Sequence, residues 1–250
     1  MIASECYVTS IVRFIGVALC AAGPAVLGAP LSAGDVAIVA VNTDGDAFAW
    51  VALRNIPGQT VIHFTDSSVS NGLFRWTEHF GALPPGPLRW SAPEEVRAGT
   101  VVRWNGSNAW SLGQAAGAGL DLSADGDQVV AYTGCIASNG ACAAPWRGDP
   151  TGALVLCAVN LANAGWDNVT GGGTSSSFVP PGVSVAEGTA VHLGSKDDAC
   201  YAGPRRGRPA DLRRWIANAT NWITAQDALA PTNWPDAFDV LGQGTLIVFP

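Results

Sequence analysis

The stretch DVAIVAVNTDGDAFAWVAL, residues 35–53, decides the fold. Two apolar runs, 35–41 and 47–53, flank the acidic knot Asn42-Thr43-Asp44-Gly45-Asp46. From Val36 in the first run and Ala47 in the second, every position is apolar, the pattern of a strand covered on both faces within a layered sheet. Asp-Gly between them is a favoured hairpin corner, because both residue types tolerate positive φ. The same knot also invites a second reading. Asn42, Asp44 and Asp46 alternate around Gly45, and alternate oxygens on a tight loop can surround a hard cation such as Ca²⁺. SADGDQ, 123–128, repeats the theme with Asp125 and Asp127, so the candidate metal set is Asn42, Asp44, Asp46, Asp125 and Asp127. No Glu closes a twelve-residue EF-hand pattern.

Outward from this hairpin the apolar residues keep coming in short runs. TVIHFT (60–65), PLRWSA (87–92) and TVVRW (100–104) alternate, as half-exposed strands do. DQVVAYT (127–133), ALVLCAV (153–159), AVHLG (190–194) and TLIVF (245–249) complete about nine runs. Gly, Pro and Ser loops separate them. The predicted fold is all-β, an antiparallel sandwich or jelly-roll with one short C-terminal helix. That helix is read in RPADLRRWIANATNW, 208–222. Pro209 suits its first position and Asp211 its first turn; Leu212, Trp215 and Ile216 form the apolar face, with Arg213 and Arg214 pointing away.

The N-terminus reads as an export signal. Arg13 precedes the apolar run 14–22, and small residues follow as far as Ala29. Gly23-Pro24 interrupts the run short of the ~20 apolar residues a membrane span needs. Residues 1–29 are therefore expected to be a signal peptide, and 30–250 a single domain with no membrane span. Outside the signal segment, four of the six cysteines remain: Cys135, Cys142, Cys157 and Cys200. In an exported chain they imply two disulfides, with three possible pairings; the short loop IASNGA would let Cys135 close on Cys142, and Cys157 would then bridge to Cys200. Sequons start at Asn105, Asn168 and Asn218.

A net charge of −7 argues against nucleic acid or anionic membranes as partners. Against that background Arg205, Arg206, Arg208, Arg213 and Arg214 cluster within ten positions, and arginine forks grip carboxylate, sulfate or phosphate. Ten tryptophans are many for this length. Most should be core, but Trp76, Trp110 and Trp146 flank Gly- or Pro-rich loops and are candidates for stacking on sugar rings. The ligand-contacting set expected is Trp110, Trp146, Arg205, Arg206 and Arg208. Catalytic patterns are poor: His63, His79 and His192 are scattered, and no nucleophile elbow occurs. Asp66 with Glu94 or Glu95 is the sole carboxylate arrangement suggesting a glycoside or ester hydrolase.

GDVAIVAVNTDGDAFAWVAL, TVIHFTD, SADGDQVVAY and PADLRRWIANATNW, in that order over roughly residues 33–228, resemble an uncharacterised β-rich module of exported bacterial proteins. The resemblance implies a secreted surface or matrix domain and supplies no catalytic residues. The expected function is thus a secreted, non-enzymatic surface or extracellular-matrix module, with polysaccharide or other surface components as partners. A carbohydrate-binding module is the alternative, and a hydrolase the second. The acidic turn carries fewer carboxylates than the resembling pattern, and the four cysteines look like additions to it.

Overall fold

The computed structural model describes residues 29–70, 73–74, 87–124, 126–134, 153–162, 165–166, 177–226 and 233–242. The first half supplies β1 (Val36–Asn42), β2 (Ala47–Ala52), β3 (Val61–Thr65), β4 (Val69–Ser70), β5 (Leu73–Phe74), β6 (Leu88–Ser91), β7 (Val101–Trp104) and β8 (Gln114–Ala116). There follow β9 (Gln128–Gly134), β10 (Ala153–Asn160), β11 (Ala190–His192), β12 (Asp198–Tyr201), β13 (Arg206–Gly207), helix α1 (Pro209–Ile216), β14 (Trp222–Ala225) and β15 (Asp239–Val240). They form a five-stranded sheet, β14-β12-β1-β2-β7, and a six-stranded sheet, β11-β10-β9-β3-β6-β8. The protein is an all-β sandwich with one short helix. No helix among the described residues is long and apolar enough to cross a membrane.

Every residue of β1 and β2 is buried, as their unbroken apolar runs require. The corner between them is a four-residue loop, with Asn42 opposite Ala47. Asp46, not Gly45, takes the positive φ, at 51°. Gly45 is needed for a different reason: its N–H donates to Asn42 Oδ1 at 2.6 Å, and a Cβ there would stand 2.7 Å from that oxygen.

Aromatic rings from both sheets fill the core. Phe48 and Trp50 of β2 meet Phe64 of β3 and Trp90 of β6 at ring separations of 4.9 Å (Phe48–Phe64) and 4.8 Å (Trp50–Trp90). On β9, Val129 and Ala131 join this core, whereas the intervening Val130 and Tyr132 join a second apolar cluster with Val69, Phe74, Val155, Val183 and Ala190. Alternation along one strand places the two clusters on opposite faces of the six-stranded sheet. That explains why the middle of β9 has no exposed side.

Three features differ from the sequence reading. β11 lies parallel to β10, with Ala158 opposite Ala190. The excursion 161–189 between them is long enough for a crossover, which a parallel pair demands. Second, α1 ends at Ile216. Asn221 Nδ2 and Trp222 Nε1 donate to the carbonyls of Trp215 and Ile216, at 2.8 and 2.7 Å, so side chains cap the helix end. Asn218 then caps the 3-10 turn Ala219–Asn221, and Trp222 opens β14. Third, Arg213 does not point away. It is half-buried, with Nη1 donating to Ala33 O at 3.3 Å, while Leu212 and Ile216 enter the core as expected. The expected strand 245–249 lies outside the described residues.

Candidate functional site

The two ends of the sandwich differ in chemistry. One end carries the β1–β2 corner, the segment entering β9 and the segment entering β12. The other carries the start of β1, the end of β12, helix α1 and the arginines.

A cleft of about 280 Å³ opens at the arginine end. Its floor and one wall come from β12, held between β1 and β14 with Ala40 opposite Cys200 and Cys200 opposite Ile223. Beyond Tyr201 the chain turns through Ala202-Gly203-Pro204. Ala202 N–H donates to Asn221 O at 2.8 Å, and the Tyr201 hydroxyl donates to Pro204 O at 2.8 Å. A Cβ at position 203 would lie 2.7 Å from that hydroxyl oxygen, so glycine lets the loop close over the tyrosine. The opposite wall is the segment carrying Asn233 and Pro235. Arg103 of β7 pins it by donating to the carbonyls of Trp234 (3.3 Å) and Pro235 (3.2 Å) and to the Asp236 carboxylate. Phe238 N–H donates to Gly99 O at 2.9 Å, and its ring stacks on Tyr201 at 5.8 Å. Both walls are thus fixed by side-chain ties that leave the cleft itself open.

Arg205 lines this cleft with Ile223, which is 52% exposed, and Asn233. The arginines that look alike in sequence are committed differently. Arg206 Nε pairs with Asp239 at 3.0 Å, Arg214 pairs with Asp211, and Arg213 is tied to Ala33. Among the described residues Arg205 makes no ion pair, and it lines the cleft; Arg208 is exposed but lies outside the lining. Of the expected arginine set, therefore, one member reaches a site. Burial pushes the Tyr201 phenol up to about 12, with the Arg205 charge opposing it. Burial also raises the Cys200 thiol, helped by the Asp198 carboxylate. Both groups are protonated at neutral pH.

Tyr201, Ile223 and Asn233 were not foreseen. The available signal was that Tyr201 stands just before the arginines, in YAGPRR.

Trp110 requires correction. Its indole is buried, 5.5 Å from Phe48 and 5.2 Å from Phe64, because a bridge between Trp104 and Trp110 folds the loop back over the core. It is core, not a sugar platform. Trp146 and Trp76 lie outside the described residues.

The bridge expected between Cys157 and Cys200 is also corrected, since both are buried free thiols. Cys157 sits on β10 against the backbone of Ile38, and Cys200 is on β12, in the other sheet and lining the cleft. Burial pushes the Cys157 thiol up to about 12. Cys135 and Cys142 lie outside the described residues.

At the acidic end the carboxylates serve the backbone. Asp46 accepts from Leu122 N–H at 2.6 Å, and Asp127 accepts from Ser123 and Gln128 N–H at 2.9 and 2.8 Å. Asn42 is buried, donating to Asp198, while Asp44 is exposed. Asp125 lies outside the described residues. Among the described residues no three His, Cys, Asp or Glu side chains come together as a metal site would need. Asp66, at the end of β3, accepts from Asp121 N–H at 2.8 Å. Glu94 and Glu95 follow β6, whose antiparallel register sets Ser91 opposite Val61, at the other end of β3. The three carboxylates do not converge. No family model, curated protein or solved structure matches the chain.

Proposed function

We propose that the protein is an exported, non-enzymatic module that attaches to extracellular surface or matrix material through its arginine end. The supporting observation is the cleft beside Arg205: fixed walls, an uncommitted guanidinium, and two lining groups, Tyr201 and Cys200, whose protons are held at neutral pH. A site so equipped has a hydrogen-bonding and charge-pairing surface but no ready base or nucleophile among these lining groups. The N-terminal charge-then-apolar pattern and the resemblance to exported modules support the compartment.

The carbohydrate-binding form of this reading is favoured by the mixture in the cleft of an apolar wall, an amide and one cation. Two measurements test the proposal. Residues 1–29 fused to a reporter active only after export should give activity; an inactive, intracellular reporter would remove the secreted assignment. The mature protein on a panel of immobilised polysaccharides should bind without releasing products. Turnover abolished by Glu95→Gln would replace the proposal with the hydrolase reading.

A further inference from the structure

Resting on the binding-module reading, we propose that the cleft between β12, β14 and Pro235 holds a single acidic sugar residue, a uronic-acid pyranose whose carboxylate is gripped by Arg205. The volume of about 280 Å³ lies at the lower limit of ligand pockets, roughly 300–1,000 Å³, which suits one ring and not an extended chain. A carboxylate needs a cation with free donors, and Arg205 is the arginine of the cluster that both lines the cleft and lacks an ion pair among the described residues. One cation matches one negative charge; a polyphosphate would call for several. Asn233 offers an amide donor and acceptor for ring hydroxyls. Ile223, which is 52% exposed, offers apolar surface for the C–H face of the ring, and the buried Pro235 backs the opposite wall.

Preorganisation supports the same assignment. The Tyr201 hydroxyl holds the loop leading to Arg205, and Arg103 holds the Asn233–Pro235 wall from the opposite edge of the sheet. A rigid site loses less ordering entropy when it closes on a polar ligand. Arg103 is thus a positioning residue, since it does not line the cleft itself.

The test is calorimetric titration of the mature protein with digalacturonate and with the neutral digalactoside of the same linkage. Digalacturonate should bind at least about tenfold more tightly, and more weakly as salt rises. Arg205→Gln should reduce its affinity about tenfold or more with an unchanged melting temperature, while Arg208→Gln leaves it intact. Arg103→Gln should weaken binding and be partly rescued by Arg103→Lys. Equal affinity for the neutral sugar, or full affinity in Arg205→Gln, overturns the acidic-sugar proposal and leaves the binding-module reading standing. Sodium acetate binding as tightly as digalacturonate overturns the role of the sugar ring. Absence of binding to either disaccharide overturns the proposal too. The polysaccharide panel then decides separately whether the module binds anything else.

Discussion

The acidic and arginine ends of this sandwich use charge in opposite ways. At the acidic end, buried or half-buried carboxylates accept hydrogen bonds from backbone N–H groups at the strand ends. Asp198 is fully buried and accepts from Thr43 N–H at 3.2 Å and from Asn42 Nδ2 at 3.1 Å. Asp46 and Asp127 do the same for residues 122, 123 and 128. These carboxylates are internal fasteners where the strands stop, and Asp46 reaches from the β1–β2 corner to the segment entering β9. At the arginine end, ion pairs such as Arg206–Asp239 are largely exposed, and Arg205 has none among the described residues. Charge there is surplus to folding. The contrast teaches that the acidic knot, the more conspicuous motif, serves structure, while the quieter end carries the arginine on which the binding proposal rests.

The largest expected effect tests the fasteners. Asp198→Ala leaves the buried Asn42 amide without its acceptor, reduces Thr43 N–H to its bond with Asp197 O, and opens a small cavity, and should cost about 3 kcal/mol in urea unfolding. A loss under about 0.5 kcal/mol, the range of ordinary surface changes, would break the comparison.

A pH titration sharpens it. His63, midway along β3, stacks on Tyr132 at 5.1 Å, and burial, then the Arg89 charge, lowers its pKa to about 4. The unfolded imidazole titrates near 6.5. Between those values the unfolded chain binds more protons than the native one, so stability falls as pH drops through this window. The loss should be about 2 kcal/mol between pH 7 and pH 4.5, read by denaturant unfolding at each pH. His63→Gln should remove that portion. An identical slope in the variant would show that the acid sensitivity lies elsewhere than in this imidazole.

These groupings also show what was readable in the sequence. The β1–β2 hairpin was legible because burial on both faces needs unbroken apolar runs, and residues 35–53 supply them on either side of a turn. β12 was not. Its residues, Asp198-Ala199-Cys200-Tyr201, have no alternating pattern, and the partner that makes Asp198 tolerable in the interior, Asn42, is 156 positions away. Strand direction is equally hidden: AVH says nothing about running parallel to β10. The arginine cluster was visible, but its members were sorted by partners at positions 33, 211 and 239 that only the fold brings near. Trp110 was misread because flanking loop residues do not tell whether a bridge folds the indole back into the core.

Thiol chemistry gives a smaller, qualitative contrast. Cys157 and Cys200 are buried, with thiols raised above their usual range. Neither should react appreciably with iodoacetamide in the native protein near neutral pH, and both should react in concentrated guanidinium. Fast native labelling at Cys200 alone would mean that the arginine-end cleft opens more widely than its tied walls imply.

The smallest expected effect concerns calcium at the acidic end. A cation bound only by the folded state raises the melting temperature, and a chelator reverses it. Here the Asp46 and Asp127 oxygens already accept backbone N–H donors, so a cation drawing on them would have to displace those bonds. Asp44 is exposed, at the tip of the corner. The melting temperature should therefore move by no more than about 1 °C between excess EDTA and millimolar Ca²⁺, the scale of a change of a few tenths of a kcal/mol. A chelator-induced drop of several degrees that Asp44→Ala abolishes would turn the fasteners into ligands. It would also erase the distinction between the two ends, because the acidic carboxylates would then be committed to a ligand and not to the backbone.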